Sequence, residues 1–188
     1  MFKILRSQRG AMFGLDSRIA LAIFGIISVL AGAFAAINTN TITAQGFSEE
    51  IKSMRTAIEG IHRDMQRGLH STLITDTSAN AFTALYDESV ISASFRNKWV
   101  GPYIDRETSI HPKFGTMLIE RFQDDHSTAC GSPCYLWLTY SDVRITVLTR
   151  LNEVMDGTAE VNPDTTGIIQ WTGSDPYKLW YNVSRAIN

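Results

Sequence analysis

The feature that most constrains this fold is an uncharged apolar stretch near the N-terminus. It runs from Ile19 to Ile37, and Ser28 is the exception to its apolar side chains. About 19 residues of helix rise about 28 Å, which is close to the hydrocarbon thickness of a bilayer. A core helix of a soluble protein normally keeps a polar face, and this stretch has none. We therefore predict a membrane-spanning helix.

The charges around this stretch predict its orientation. Lys3, Arg6 and Arg9 lie before it, which favours a cytoplasmic N-terminus. Cys130 and Cys134 would then lie on the other side, in an oxidising compartment where a disulfide persists. The net charge is −2, with no basic cluster beyond the N-terminus, so the sequence gives no sign of nucleic-acid binding.

Two interpretations of the segment need no specialised machinery. Ala33-Phe34-Ala35 fits the cleavage pattern of a secretory signal peptide, which would leave a mature start at Ala36. Its apolar core is longer, however, than the usual ~7–15 residues. A plain signal anchor accounts for the length and the flanking charges. It does not account for Asp16, because an acidic group so close to a span is costly.

A third interpretation accounts for every feature. The run Arg9–Asp16 resembles the type IV prepilin signature, in which a basic leader ends at a small residue, a hydrophobic residue follows, and an acidic residue is fifth in the mature chain. Cleavage between Ala11 and Met12 places Asp16 fifth, whereas cleavage after Gly10 places it sixth. The resemblance implies that prepilin peptidase removes the leader and methylates Met12, and that the apolar run is retained.

The same resemblance implies a role for the acidic residue. The Asp16 carboxylate of one subunit would pair with the Met12 amine of its neighbour and fix the axial register of a filament. Alternatively, Asp16 only caps the helix N-terminus, where the helix dipole favours a negative charge. The implied partners are like pilin or pseudopilin subunits, prepilin peptidase, an inner-membrane assembly platform and, before assembly, the lipid bilayer.

An apolar stripe follows the membrane segment. Its members recur at spacings of three and four, which predicts an amphipathic helix face packed on a globular domain. The polar stretch Asn38–Gly46 lies between the two halves and predicts a bend or local unwinding. We predict one long helix over 12–69, with its membrane half at 19–37. The stripe consists of Phe47, Ile51, Met54, Ile58, Ile61, Met65 and Leu69.

The rest of the chain alternates short apolar runs with turn-forming residues. This pattern predicts an α+β fold, with a small antiparallel sheet lying on the long helix as in pilins. The domains are then a leader at 1–11, the helix at 12–69 and an extracytoplasmic domain at 70–188. Val147–Met155 is an alternative helix. The predicted strands are Thr116–Phe122, Tyr135–Thr139, Arg144–Leu148, Gly167–Thr172 and Tyr177–Val183.

A second resemblance lies between the helix and the sheet. Trp99–Ile104 is similar to the Trp-x-Gly-Pro-Tyr stretch of major pseudopilins of type II secretion. In that family an Asp-Pro and glycine segment follows, and His111–Gly115 takes its place here. No family pattern aligns with Gln123–Asn188.

The two cysteines lie close together in the sequence. Cys130 and Cys134 predict a disulfide that closes a short loop, with limited entropic stabilisation. The alternative is a metal site that adds His126, but this set lacks the fourth ligand that structural zinc sites use.

Two groups of acidic loop residues are candidate calcium ligands, because the resemblance to pseudopilins implies calcium binding through loop carboxylates. Neither follows an EF-hand spacing, so we expect solvated loop carboxylates, with no metal and no cofactor. Nucleophile-elbow, phosphate-loop and zinc-protease motifs are absent from the sequence. We expect a structural filament subunit rather than an enzyme, and the alternative is a secreted or membrane-anchored extracytoplasmic binding module. The acidic groups are Gln123–Asp125 and the set Asp156, Glu160, Asn162 and Asp164.

Overall fold

The structure is a computed structural model that combines one long helix with a small antiparallel sheet. It describes residues 10–66, 78–128, 130, 134–157, 162 and 164–185. Within these ranges, the side chains of 10–17, 36–38, 78–80 and 184–185 are not described. Contacts divide the chain into two units, 1–40 and 41–188, and each is described by itself.

Helices and strands follow the α+β order expected from the sequence. The α-helices are α1 (Gly10–Met65), α2 (Ser78–Thr83), α3 (Ala93–Arg96) and α4 (Ile145–Met155), and a 3₁₀ turn covers Glu88–Val90. The strands are β1 (Ile110–His111), β2 (Gly115–Phe122), β3 (Tyr135–Val143), β4 (Ile169–Gly173) and β5 (Tyr177–Arg185).

In the first unit, α1 carries the apolar stretch with its side chains open to solvent. Leu21 and Phe24 are each 70% exposed and Val29 is 73% exposed. None of the most apolar part of this helix is buried. Within the described residues, α1 is the one helix long and apolar enough to cross a membrane.

The helical backbone of α1 continues through the polar stretch Asn38–Gly46, so the predicted unwinding is wrong. The Thr39 hydroxyl donates to the carbonyl of Ala35 at 2.9 Å, and therefore bonds within the helix instead of competing with it. A single glycine, Gly46, costs a helix only about 1 kcal/mol, which neighbouring turns offset.

In the second unit, the amphipathic half of α1 is the centre of the core. Its stripe members from Phe47 to Met65 are all 5% exposed or less, which confirms the predicted face. The helix ends at Met65, and Gln66 has a φ of 56°. Leu69 and the predicted helix end at residue 69 lie outside the described residues.

The sheet has the order β1-β2-β3-β5-β4, and all neighbouring strands are antiparallel. Ile119, Leu138, Tyr181 and Ile169 are aligned across four strands and therefore share one face. All four belong to the hydrophobic cluster that contains the α1 stripe. The sheet thus covers the helix with one layer of side chains.

One predicted strand is wrong and one observed strand was not predicted. Arg144–Leu148 falls at the start of helix α4, close to the alternative helix at Val147–Met155. Its β-branched residues favour a strand, but Val147, Leu148 and Leu151 are buried together at helical spacing, and that packing decides the structure. Strand β1 has two residues, too few for a sequence pattern.

Candidate functional site

The N-terminal half of α1 is the first candidate site. The backbone of Ala11, Met12 and Asp16 lies within the helix. Their side chains lie outside those that the structure describes, so cleavage before Met12 and the pairing of Asp16 stay predictions.

The side chains that follow form an exposed apolar surface on α1. From Ile19 to Phe34, large hydrophobic side chains are 50–73% exposed. Soluble monomers rarely expose a continuous apolar surface of this kind, because its contact with water is unfavourable. By length and apolar composition, this segment could cross a membrane.

The two cysteines form the predicted disulfide. Cys130 and Cys134 are bonded, with their Cα atoms 5.1 Å apart. Their sulfurs cannot act as thiolate ligands in this state, so the alternative metal site is wrong. The His126 ring instead stacks on Trp180 and contacts the Trp137 edge, with both centroid distances 4.5 Å.

The first acidic group belongs to a turn. The Asp125 carboxylate accepts bonds from the backbone N–H groups of Ser127 at 3.1 Å and Thr128 at 2.8 Å. Hydrogen bonds from the Thr128 hydroxyl and backbone, and then from Ser127, hold the pKa of Asp125 well below its usual value. Asp125 therefore stabilises its own loop instead of being merely solvated.

In the second acidic group, Asp156 joins helix α4 to strand β4. Its carboxylate accepts backbone N–H bonds from Ile168 at 3.0 Å and Ile169 at 2.8 Å. The Asn152 amide also donates to it, at 3.3 Å. Asp156 is half-exposed, so its carboxylate meets solvent as expected and also accepts hydrogen bonds at the start of β4. Glu160 lies outside the described residues.

Metal ligation gains no support elsewhere in the second unit. Among the described residues, histidine, cysteine, aspartate and glutamate side chains form no cluster of three or more that could hold a metal ion.

The Trp99–Ile104 loop packs against the C-terminal part of α1 and hydrogen-bonds to it. The Trp99 indole donates to the carbonyl of Ala84 at 2.9 Å, and the Tyr103 hydroxyl donates to Asp64 at 2.7 Å. Burial and this hydrogen bond raise the pKa of Tyr103 to about 12. The Tyr103 ring lies against Gly60, where an added Cβ would be 3.2 Å from it. The loop therefore positions the helix against the rest of the domain.

Sequence reasoning missed a polar cluster between α1 and the sheet. Glu50 lies within 3.1 Å of both the Arg106 guanidinium and the Nε2 atom of His111. Glu50 and His111 are separated by 61 positions, so no local pattern could have paired them. His111 is only 6% exposed, and Tyr140 lies edge-on to its ring at 6.1 Å.

A cleft lies beside this cluster. Its volume is about 310 Å³, and Gly46, Phe47 and Glu50 of α1 form one wall. Residues 111–114 of the β1–β2 connection form the other. The cleft is therefore bounded by the two elements that the Glu50–His111 contact joins.

Comparison with known proteins adds no family assignment. No protein-family model matches the chain, and neither the curated proteins nor the solved structures include a match to it.

Proposed function

We propose that this chain is a structural subunit of a type IV pilus-like or type II secretion pseudopilus filament, processed by prepilin peptidase. The observation that carries the proposal is the division of α1. Its first part exposes apolar side chains with no charge among them, whereas its second part is buried under an antiparallel sheet. A filament subunit needs this division, because one part of the helix must pack against other subunits and the other must hold its own domain.

Energy balance supports reversible transfer from membrane to filament. Lipid tails and apolar side chains are similar surroundings for the Ile19–Phe34 surface, so moving it between them changes little hydrophobic free energy. Contacts that exist only in the filament then decide assembly. The proposed pair between the Asp16 carboxylate and a neighbour's Met12 amine is such a contact.

Two observations support an extracytoplasmic location for the second unit. The basic residues Lys3, Arg6 and Arg9 precede the apolar segment, which favours a cytoplasmic N-terminus. The Cys130–Cys134 disulfide fits an oxidising compartment beyond the membrane. Both support the proposal that residues 41–188 lie on the side of the inner membrane away from the cytoplasm.

The processing step is tested by mass spectrometry of the N-terminus. The full chain is expressed in a bacterium with and without a prepilin peptidase. We expect a methylated Met12 start only with the peptidase. A start at Ala36 would mean secretion with loss of the apolar segment, and an intact Met1 under both conditions would mean a plain anchor. Either result would contradict the filament proposal.

The assembly step is tested by a charge series at one position. Asp16→Glu keeps the carboxylate, Asp16→Asn keeps the shape without the charge, and Ser17→Ala is the neighbouring control. Removing one partner of a buried ion pair costs about 3–5 kcal/mol. We therefore expect filaments with Asp16→Glu and Ser17→Ala but a loss of well over tenfold with Asp16→Asn.

Membrane insertion is measured in the same strains by alkaline extraction. Equal insertion of all variants would assign the defect to assembly. Normal filament yield from Asp16→Asn would refute the pairing role, although a Met12 start would still support processing.

A further inference from the structure

The Glu50–His111 cluster contains a histidine whose geometry admits only its neutral form. The backbone N–H groups of Lys113 and Phe114 both point at Nδ1 of His111, each at 3.0 Å. Nδ1 must therefore accept, and it carries no proton. The proton lies on Nε2, which donates to the Glu50 carboxylate at 3.1 Å.

The same ring contributes to the packing of the turn on α1. Phe114 stacks on His111 at 4.7 Å and on Phe47 of α1 at 3.9 Å, and the His111 and Phe47 rings also lie close together, with centroids 6.4 Å apart. His111 thus contacts the turn in two ways: it accepts two backbone hydrogen bonds, and its ring stacks on Phe114, which in turn stacks on Phe47 of α1.

Protonation would disrupt the hydrogen bonds that His111 accepts from the turn. A proton on Nδ1 would face two N–H donors and remove both accepted bonds. It would also add a positive charge to a site where the Arg106 guanidinium already neutralises Glu50, within 3.1 Å. Burying that uncompensated charge is unfavourable.

The charged and titratable groups that face His111 come from four elements. They are Glu50 of α1, Arg106 of the preceding loop, Lys113 of the turn and Tyr140 of β3. Burial lowers the pKa of His111 most strongly, Arg106 and Lys113 lower it further, and Glu50 opposes them. The balance favours the neutral ring at neutral pH.

The turn has space to move once it is released. The cleft of about 310 Å³ lies on its α1 side. A second cleft of about 270 Å³, lined by Lys113, Phe114, Asp142, Arg144 and Val147, lies beside the same turn. Lys113 and Phe114 line both clefts, so the turn has open space beside it once Phe114, which is buried, leaves its contacts with His111 and Phe47.

We propose that His111 is an acid-sensitive switch that holds the 111–114 turn on helix α1 while neutral and releases it when protonated. The folded state resists protonation more than the unfolded chain does, so acidification below about pH 6.5 favours opening. Release would leave Phe47 and Phe114 unstacked and join the two clefts beside the turn.

The matched variant is His111→Asn. Its side-chain oxygen occupies the place of Nδ1, and asparagine commonly accepts bonds from the N–H groups two and three residues on. We expect this variant to keep the two backbone hydrogen bonds of the turn, without the ring stack on Phe114, and it cannot titrate. His126→Asn is the control, because burial lowers the pKa of His126 as well but that ring packs against Trp137 and Trp180, away from the 111–114 turn.

Hydrogen exchange of the full chain in detergent micelles is the primary test, measured from pH 7.5 to pH 5 and corrected for intrinsic rates. In the wild type and in His126→Asn, we expect exchange of the amides at 113 and 114 to rise about two- to tenfold as the pH falls, as the loss of a hydrogen bond implies. In His111→Asn, we expect no rise.

A second measurement needs no variant. The His111 ring is titrated by NMR while the protection of the turn is followed in the same sample. If the His111 ring titration and the loss of amide protection in the turn have the same midpoint pH, the switch is supported. Full protonation of His111 with Lys113 and Phe114 still protected would overturn it, as would an equal acid response in His111→Asn.

Discussion

The substitution Phe47→Ala tests whether the second half of α1 is the core of the domain. Phe47 is 2% exposed, stacks on Phe114 at 3.9 Å and meets the edge of Tyr140 at 4.8 Å. Truncating a buried phenylalanine to alanine costs about 3–5 kcal/mol, from lost transfer free energy and from the cavity left behind. The two aromatic contacts, each worth about 0.5–1.5 kcal/mol, favour the upper part of that range.

The measurement is thermal unfolding of the full chain in detergent micelles, followed by near-ultraviolet circular dichroism. This signal reports the packing of tryptophan and tyrosine, whereas the far-ultraviolet signal of a micelle-bound helix would persist. For a domain of this size, 1 kcal/mol shifts Tm by about 2–4 °C. We therefore expect Phe47→Ala to lower Tm by roughly 6–20 °C.

The control is Ile42→Ala on the same helix. Ile42 is 68% exposed, so its truncation should change stability by less than about 0.5 kcal/mol. Should Phe47→Ala unfold the domain entirely, Phe47→Leu supplies a milder loss that is still measurable. Equal shifts for the variants at positions 42 and 47 would refute the packing of this helix face on the sheet.

Three further predictions concern the contacts that hold the domain together. Tyr103→Phe should cost about 1 kcal/mol, because it removes the hydroxyl that donates to Asp64. The pKa of Tyr103 is raised to about 12, so the unfolded chain loses the hydroxyl proton at a lower pH than the folded chain does. The free energy of unfolding of the wild type, measured by urea titration, should therefore fall from about pH 10 towards pH 12. In Tyr103→Phe this fall should be less steep. Asp156→Ala should cost about 1–3 kcal/mol in the same assay, because two backbone N–H groups at the start of β4 lose their acceptor and one of them is only partly open to water. Reduction of Cys130–Cys134 should lower stability by about 2 kcal/mol by loop entropy, and an unchanged Tm would show that the disulfide adds nothing.

Periodicity predicted much of the fold because it reflects local geometry. The stripe that begins at Phe47 repeats every three or four residues, and only a helix places such positions on one face. Strands β2, β3, β4 and β5 were predicted to within a few residues, because apolar alternation and turn residues bound them. The strand predicted at the start of α4 was wrong because tertiary packing overrode local preference. The β-branched residues of this segment favour a strand, but the burial of Leu148 and Leu151 on one side favours a helix.

The amino-acid sequence by itself was enough to predict the long apolar helix segment at 19–37, the orientation implied by its flanking charges, and the disulfide between two nearby cysteines. These properties depend on neighbours in sequence, which is why they could be predicted without coordinates. The tertiary structure decided the rest: Asp156 as the acceptor for β4, Tyr103 on Asp64, and His111 beside Glu50 across 61 positions. The physical reason is that a polar side chain takes its role from the partners that folding brings to it, and those partners are distant in sequence.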